Sequence, residues 1–216
     1  MSRYAMSRRR RTTIIVACVS LAAVLVWLDR TKISPQRQST TAGPQQSSQR
    51  DFEKYDGKTF AIVNVVDGDT IDIDVPDGKY AHTRIRLWGV DTPETKSPKV
   101  APMYFGKEAS EFTTKTCTGK KVTIYLDKYN RTRGYYGRLL AYVRLPDGKF
   151  LNELLLSEGL AYADLRFRHS SYNKYKQLEA VARSQRKGLW LNVTHEQLPK
   201  WLQKRKPDLM TNKSHR

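Results

Sequence analysis

Residues 66–75 read VDGDTIDIDV, and this short stretch decides how the chain folds. From Thr70 onward, apolar and polar residues alternate, which predicts a β-strand with its isoleucines on one face. Asp69 falls on that same apolar face, where a carboxylate is costly unless a cation or hydrogen bonds compensate it. The stretch therefore predicts both a buried strand and an acidic group that needs a partner.

A second acidic motif follows further along the chain, where residues 86–94 read RLWGVDTPE. Asp91 and Glu94 come at the end of an apolar segment, where a rigid strand can aim their side chains toward solvent. Either motif alone is also a good turn sequence, because aspartate, glycine and proline favour turns. The two motifs together favour a site for a metal ion and for acid/base chemistry.

The positive charge of the chain is concentrated at its two ends. The net charge is +18, and residues 1–50 carry nine Lys and Arg against one acid, whereas residues 51–190 carry 24 against 18. A basic excess attracts polyanions, either nucleic acid or an anionic lipid surface. Composition does not choose between these partners, and solubility alone also explains surface charge. A chain of 216 residues has room for one well-packed domain and its extensions.

The metal-ligating residue types restrict the kind of ion. The chain has two cysteines, Cys18 and Cys117, and four histidines, without the spacing of a zinc site. Cys18 lies in an apolar run, so we expect no disulfide. Any metal ion must therefore be a hard cation bound by oxygen atoms.

The N-terminal region is typical of a membrane anchor. Four arginines at residues 8–11 precede an apolar run, and residues 12–28 form a span of seventeen residues, the short end of what crosses a bilayer. A signal peptide is the alternative, but no cleavage site of small residues follows. We expect a basic segment over residues 1–11, a transmembrane helix over residues 12–28 and a flexible linker over residues 29–55. The arginines predict a single-pass protein whose folded domain lies outside the cytoplasm, with either a bacterial envelope or an organelle membrane as the location.

The folded region consists of five predicted short strands with helices inserted between them. Strands are predicted over residues 58–66, 69–75, 81–90, 121–126 and 136–145. Helices are predicted over residues 104–117, 151–157 and 172–187. Strands and helices do not alternate regularly, so we predict an α+β domain with a closed five-stranded barrel of the OB-fold type. Residues 191–216 form a basic tail, in which Trp201 and Leu202 belong either to a short amphipathic helix or to a disordered segment.

The acidic residues of the two motifs could bind a cation and activate water. Asp69, Asp91 and the backbone carbonyl of Thr92 offer oxygen ligands for a hard cation. Glu94 lies three residues beyond Asp91, across a proline-stiffened turn, and could prepare a water molecule as a general base. These groups are among those that cleavage of a phosphodiester needs.

Two arginines are candidates for binding phosphate. Arg86 and Arg138 each offer a planar guanidinium that can bind two phosphate oxygens at once, which lysine does less well. Arg138 stands where a glycine-containing hairpin meets an apolar strand. An ordinary surface charge is the alternative interpretation of either arginine.

The order of these motifs resembles the staphylococcal nuclease family. The matching segments are residues 66–70, Arg86 and residues 90–96, followed by FGKEAS at 105–110, YGR at 136–138, NE at 152–153 and GLA at 159–161. They occur in order across residues 57–190. The resemblance implies an OB-fold barrel with three helices over residues 56–190.

The resemblance also implies the chemistry and the role of each site residue. It implies a calcium-dependent nuclease that cleaves DNA and RNA and leaves 3′-phosphorylated products, and we expect a monomer. The implied calcium ligands are Asp69, Asp91 and Thr92, the implied catalytic residues are Arg86, Glu94 and Arg138, and the implied substrate-binding residues are Tyr136 and Phe167. A non-catalytic OB-type binding module is the alternative. Such a module has no physical reason to keep two arginines, a glutamate and two aspartates around one pocket.

The sequence departs from the family pattern at three places. Leu165 and Phe167 stand where the family stacks a nucleotide base on two tyrosines, so one aromatic stacking position is kept. Arg133 and Gly134 replace an acid–lysine pair before Tyr136, and the connection between the second and third strands is longer. We therefore expect changed contacts to the terminal phosphate of a short ligand.

Overall fold

Five strands of the chain form a closed barrel, as the sequence predicts. The computed structural model describes residues 44–95 and 103–209. Its strands are β1 Thr59–Asp67, β2 Thr70–Ile73, β3 Thr83–Leu87, β4 Val90–Asp91, β5 Lys121–Leu126, β6 Leu139–Arg144 and β7 Tyr162–Ala163. Its helices are α1 Pro44–Tyr55, α2 Gly106–Cys117, α3 Leu151–Ser157, α4 Tyr172–Ser184 and α5 Lys200–Arg205, with short 3₁₀ helices at Gly188–Leu191 and His195–Gln197.

The barrel closes in the order β1-β2-β3-β6-β5. Its neighbouring strands pair antiparallel except β3 and β6, which run parallel and place Arg86 opposite Leu140. The strands β4 and β7 form a separate two-stranded sheet, with Asp91 opposite Tyr162. The predicted α+β class and the five-stranded, OB-like barrel are therefore confirmed. The helices α2, α3 and α4 fall within the three predicted helical segments.

The alternating sequence of β2 produces the buried wall that it predicts. Ile71 and Ile73 are fully buried, as are Ile85 of β3 and Leu139 of β6. Each such side chain stabilises the fold by about 1.5–3 kcal/mol because it is removed from water. Asp69, immediately before β2, is only 6% exposed. The barrel core thus fixes the position of a buried carboxylate.

The predicted third strand is interrupted after Leu87. Gly89 adopts a φ of +76°, a left-handed conformation that glycine reaches at the least steric cost. The chain turns at Trp88 and Gly89, and β4 leaves the barrel to pair with β7. This turn brings Asp91 back to the guanidinium of Arg86, 2.6 Å away.

The expected flexible linker over residues 29–55 is wrong for its last part, because residues 44–55 form α1. Tyr55 is fully buried, with its hydroxyl 2.9 Å from the Thr83 hydroxyl. Asp51 is also buried and forms an ion pair with Arg133. Few apolar residues mark this segment, and the groups that stabilise it lie 28 and 82 residues away in sequence. Local patterning therefore could not predict the helix.

The predicted anchor over residues 12–28 lies outside the described residues. Within the part of the chain that the structure describes, no helix is long and apolar enough to cross a membrane. At the other end, α5 is the short amphipathic helix that the sequence allowed, with Leu202 buried and Trp201 half-buried. The disordered alternative is wrong for residues 200–205.

Candidate active site

Asp69 lies in the tight turn between β1 and β2. Its Oδ2 atom accepts hydrogen bonds from the backbone N–H and the hydroxyl of Thr92, at 2.9 and 3.0 Å. Its Oδ1 atom accepts a bond from the Thr70 hydroxyl at 3.0 Å. Gly68 is needed in this turn, since an added Cβ atom would come within 2.9 Å of the Thr92 side chain. The turn therefore presents a carboxylate whose direction Thr92 fixes.

Arg86 projects from β3 into the space between the two acidic motifs. Its Nη2 atom lies 3.1 Å from Oδ2 of Asp69 and 2.6 Å from Oδ1 of Asp91. Its Nη1 atom donates to the carbonyls of Leu87 and Val90, at 3.0 and 2.6 Å. Burial by itself lowers the pKa of Arg86, but the charges of Asp69 and Asp91 outweigh burial and raise the pKa. The guanidinium is therefore fixed in direction and stays protonated.

Asp91 ends β4 and is contacted by three groups, one of which is Arg166, with its Nη2 atom 3.8 Å from Oδ2 of Asp91. Arg86 donates to its Oδ1 atom, and the indole N–H of Trp201 donates to its Oδ2 atom at 2.8 Å. Burial raises the pKa of Asp91, the charge of Arg86 opposes this effect, and the negative charge of Asp69 raises the pKa further. Burial is thus the main cause of the raised pKa, and a cation bound beside Asp91 would oppose it.

Asp67 and Glu94 add two carboxylates to the same cluster. Burial raises the pKa of Asp67, and hydrogen bonds from Gly68 and Thr95 oppose that effect. The negative charges of Asp69 and Glu94 raise the pKa again, which shows that Glu94 lies near the turn. The Thr95 hydroxyl donates to Asp67 at 2.9 Å. Asp67 therefore supports the segment that carries Glu94.

Arg138 lies immediately before β6, and among the described residues no carboxylate forms an ion pair with it. Burial lowers the pKa of Arg138, the positive charge of Arg86 lowers it further, and Asp69 opposes both effects. The guanidinium carbon lies 5.7 Å from the centre of the Tyr136 ring. Two arginines close enough to repel each other favour the binding of an anion.

The two predicted substrate-binding residues are exposed aromatic side chains. Tyr136 is 78% exposed and Phe167 is 48% exposed. Phe167 stacks on Trp88, with ring centres 6.1 Å apart and an angle of 23° between the planes. Leu165 is buried and cannot present a surface to a base. Tyr136 therefore offers the larger stacking surface.

The predicted calcium ligands form an incomplete set of side chains. Among the described residues, no group of three or more histidine, cysteine, aspartate or glutamate side chains is placed to hold a metal ion. The predicted set uses only two such side chains, Asp69 and Asp91, which contact the same guanidinium, and the carbonyl of Thr92. Calcium takes roughly six to eight oxygen ligands, so water or substrate oxygens would complete the shell. The oxygen atoms of the Asp69 and Asp91 carboxylates are the type of ligand that a hard cation prefers.

Three residues near Asp91 were not predicted as site residues, namely Asp164, Arg166 and Trp201. Arg166 donates to Asp164 through two bonds of 2.8 Å, and its guanidinium lies 4.5 Å from the centre of the Trp201 ring. Trp201 is 110 residues from Asp91 in sequence. No local pattern relates residues that far apart, so only the tertiary structure reveals this cluster.

The fold and the site together define a small β-barrel protein with a cationic, acid-rich centre suited to phosphoryl groups. Residues 84–192 match the family described as staphylococcal nuclease homologue. The matched region contains Arg86, Asp91, Glu94 and Arg138, whereas Asp69 lies before its start.

Curated relatives extend the match beyond those residues. The chain is 39% identical over 154 residues to a thermonuclease of Staphylococcus hyicus, which covers 71% of this chain and 86% of the relative. It is 39% identical over 151 residues to a thermonuclease of Staphylococcus intermedius, and this match covers 70% of this chain and 83% of the relative. The endonuclease YncB of Bacillus subtilis is 37% identical over 136 residues, and this match covers 60% of this chain and 62% of the relative. The chain therefore belongs to the staphylococcal nuclease family.

Proposed function

We propose that this protein is a calcium-dependent nuclease that hydrolyses phosphodiester bonds of DNA and RNA. The observation that carries the proposal is the pair of arginines. Arg86 is fixed beside Asp69 and Asp91, whereas Arg138 has no acidic partner among the described residues and is repelled by Arg86. This arrangement suits a phosphate with a cation beside it. The thermonuclease and endonuclease relatives support the same reaction class, that of a hydrolase.

The two arginines bind the phosphate and stabilise the charge that develops on it. A guanidinium can donate two parallel hydrogen bonds to phosphoryl oxygens. Arg138 has no ion pair among the described residues, whereas Arg86 can donate through Nε and Nη2 once a cation replaces Nη2 at Asp69 and Asp91. Negative charge increases on the nonbridging oxygens in the transition state, and donors that are already oriented act there without reorganising. Arg86 is oriented by the carbonyls of Leu87 and Val90, so little further ordering accompanies substrate binding.

Glu94 accepts a proton from the attacking water. Its segment follows β4 directly, and the hydrogen bond from Thr95 to Asp67 fixes that segment beside the barrel. The water oxygen forms a bond to phosphorus, and the bond between phosphorus and the 5′ oxygen breaks. The leaving oxygen takes a proton from solvent water, and Glu94 later returns its proton to solvent. The products are a 3′-phosphate and a free 5′-hydroxyl.

Asp69, Asp91 and the Thr92 carbonyl would hold the calcium ion. When bound, calcium polarises the phosphoryl group and neutralises part of its charge. Thr92 supports this role in a second way, because its N–H and hydroxyl fix the Asp69 carboxylate. Burial and the negative charge of Asp69 both raise the pKa of Asp91, and a cation between the two carboxylates would oppose both effects.

The exposed aromatic side chains fit a substrate of either sugar type. A base stacks on an aromatic ring whatever its identity, and such stacking is tolerant of sequence. Tyr136 and Phe167 offer rings of this kind, and the arginines contact phosphate rather than sugar. We therefore expect cleavage of both DNA and RNA.

We also propose that residues 12–28 anchor the protein in a membrane, with the nuclease domain outside the cytoplasm. The apolar run and the four arginines at residues 8–11 support this arrangement, because basic residues favour the cytoplasmic side. Protease added to the outside of intact cells tests it. Digestion of the domain supports the proposal, and complete protection contradicts it.

Cleavage assays on the full-length protein test the nuclease function. Plasmid DNA and RNA are incubated with calcium, with magnesium and with excess chelator, and Arg86→Ala serves as the inactive control. We expect calcium to support degradation of both polymers, chelator to abolish it, and a phosphatase to release phosphate from the 3′ ends. A folded protein that binds DNA but cleaves nothing with any metal would instead support a non-catalytic binding module.

A further inference from the structure

The C-terminal helix α5 lies beyond residue 192, where the family match ends, yet it reaches the candidate active site. Leu202 is buried with Leu198, Trp190 and Tyr162 in an apolar cluster of its own. These contacts fix the helix on the domain. The described part of the predicted basic tail over residues 191–216 is therefore an integral part of the fold.

Trp201 is the residue of α5 that contacts the site. Its indole N–H donates to Oδ2 of Asp91 at 2.8 Å. The guanidinium of Arg166 lies 4.5 Å from the centre of the indole ring, a distance at which the two groups attract each other. Arg166 is held in turn by Asp164 through two hydrogen bonds of 2.8 Å. The orientation of the indole is thus set by groups other than Asp91.

The carboxylate of Asp91 is held at both of its oxygens. Arg86 donates to Oδ1 at 2.6 Å, and Trp201 donates to Oδ2 at 2.8 Å. Rotation of the carboxylate would break one of these bonds. Each carboxylate oxygen can accept more than one interaction, so both can still bind a cation.

We propose that Trp201 is a positioning residue that orients Asp91 for cation binding, which makes α5 a functional part of the active site. The inference rests on the proposed function, in which Asp91 is a calcium ligand. Donors behind a ligating carboxylate fix its orientation, and their removal typically weakens metal binding by roughly 10–100-fold. The guanidinium of Arg166 also lies near this carboxylate, with its Nη2 atom 3.8 Å from Oδ2 of Asp91. The indole N–H makes the shorter contact with that oxygen, at 2.8 Å, and adds no charge that would repel a cation.

The substitution Trp201→Phe tests the inference, because it removes the N–H donor and keeps an aromatic ring against Arg166. The matched control is Trp190→Phe, the same change at a buried indole whose Nε1 atom has no hydrogen-bond partner among the described residues. The calcium Kd of each full-length variant is measured by calorimetry without substrate. Thermal unfolding is measured in chelator, and kcat at saturating calcium.

We expect Trp201→Phe to raise the calcium Kd by about 10-fold or more, with Tm in chelator and kcat at saturating calcium close to wild type. Trp190→Phe removes no hydrogen bond, so it should lower Tm and change the calcium Kd much less than Trp201→Phe does. An unchanged Kd in Trp201→Phe overturns the inference and leaves the proposed function intact. A wild-type protein that binds no calcium overturns both.

Discussion

Two arginines of one hairpin, Arg133 and Arg138, lie in opposite electrostatic environments. Arg133 donates to Asp51 at 2.6 and 2.8 Å and forms a second ion pair with Asp77. Arg138 forms no ion pair among the described residues, and it is close enough to Arg86 for the two charges to repel. The neighbouring side chains thus neutralise the charge of Arg133 and leave the charge of Arg138 available to a ligand.

The pKa values of the two arginines shift in opposite directions for this reason. Burial acts to lower the pKa of both. The two aspartates outweigh burial at Arg133 and raise its pKa, whereas burial and the charge of Arg86 lower the pKa of Arg138. The comparison indicates that Arg133 stabilises the fold and that Arg138 is available to an anionic ligand.

Arg133 also supports the backbone that carries Arg138. Its Nη1 atom donates to the carbonyl of Gly137 at 3.1 Å, the residue directly before Arg138. Its partner Asp51 belongs to α1, and its partner Asp77 belongs to the connection between β2 and β3. Arg133 therefore links α1 to the backbone that carries Arg138.

The largest expected effect comes from Arg138→Ala. Loss of an oriented donor to the transition state should lower kcat on DNA by about 10³-fold, while Tm stays near that of wild type because no ion pair is lost. Arg131→Ala is the matched control, since Arg131 is an exposed arginine of the same hairpin, and it should retain the wild-type rate. A kcat for Arg138→Ala within a few fold of wild type would show that the available charge has no catalytic role.

A smaller effect, on stability, is expected for Arg133→Met. This change keeps the aliphatic stem and leaves the buried carboxylate of Asp51 without its cation, so the free energy of unfolding should fall by about 3 kcal/mol. Urea denaturation measures the loss. The double variant Arg133→Met/Asp51→Asn should recover part of it, because the uncompensated charge is gone. If the single variant were as stable as wild type, the inference that Arg133 stabilises the fold would be wrong.

The smallest expected effect concerns the stability contributed by Asp127, a carboxylate that hydrogen-bond donors surround and that lies outside the candidate active site. Asp127 is buried and accepts hydrogen bonds from the side chains of Asn130, Tyr142 and Ser170 and from the backbone N–H groups of Tyr129 and Ser170. Burial acts to raise the pKa of Asp127, but the bonds from Ser170, Asn130 and Tyr142 lower it to about 2. These donors come from three separate segments of the chain, so Asp127 joins those segments and has a structural role.

Asp127→Asn should therefore lower the free energy of unfolding by about 2 kcal/mol near neutral pH. The folded-state pKa lies below the ordinary value of 3.8, so this stabilisation is present above that value and is lost as the pH falls toward 2. Denaturation of both proteins at several pH values measures the difference, which should shrink on acidification. A difference that is independent of pH would exclude ionisation of Asp127 as its source.

The barrel could be predicted from sequence because its signals are local. Alternation in residues 70–75 predicts the burial of Ile71 and Ile73, although Thr70 and Asp72 are buried as well. The turn at Gly89, in contrast, interrupts the strand that is predicted over residues 81–90. The sequence also places Asp69, Arg86 and Asp91 in motifs that the structure brings into contact. The catalytic and ligand roles of these residues stay predictions.

The sequence by itself determined the fold class and the motifs that carry Asp69, Arg86 and Asp91, since periodicity and turn chemistry act over a few neighbouring residues. Only the tertiary structure decided which charges are neutralised. Arg133 meets Asp51 across 82 residues of sequence, and Trp201 meets Asp91 across 110. Hydrogen bonds and ion pairs depend on distance and direction in space, and separations of this size leave no periodic trace in the chain.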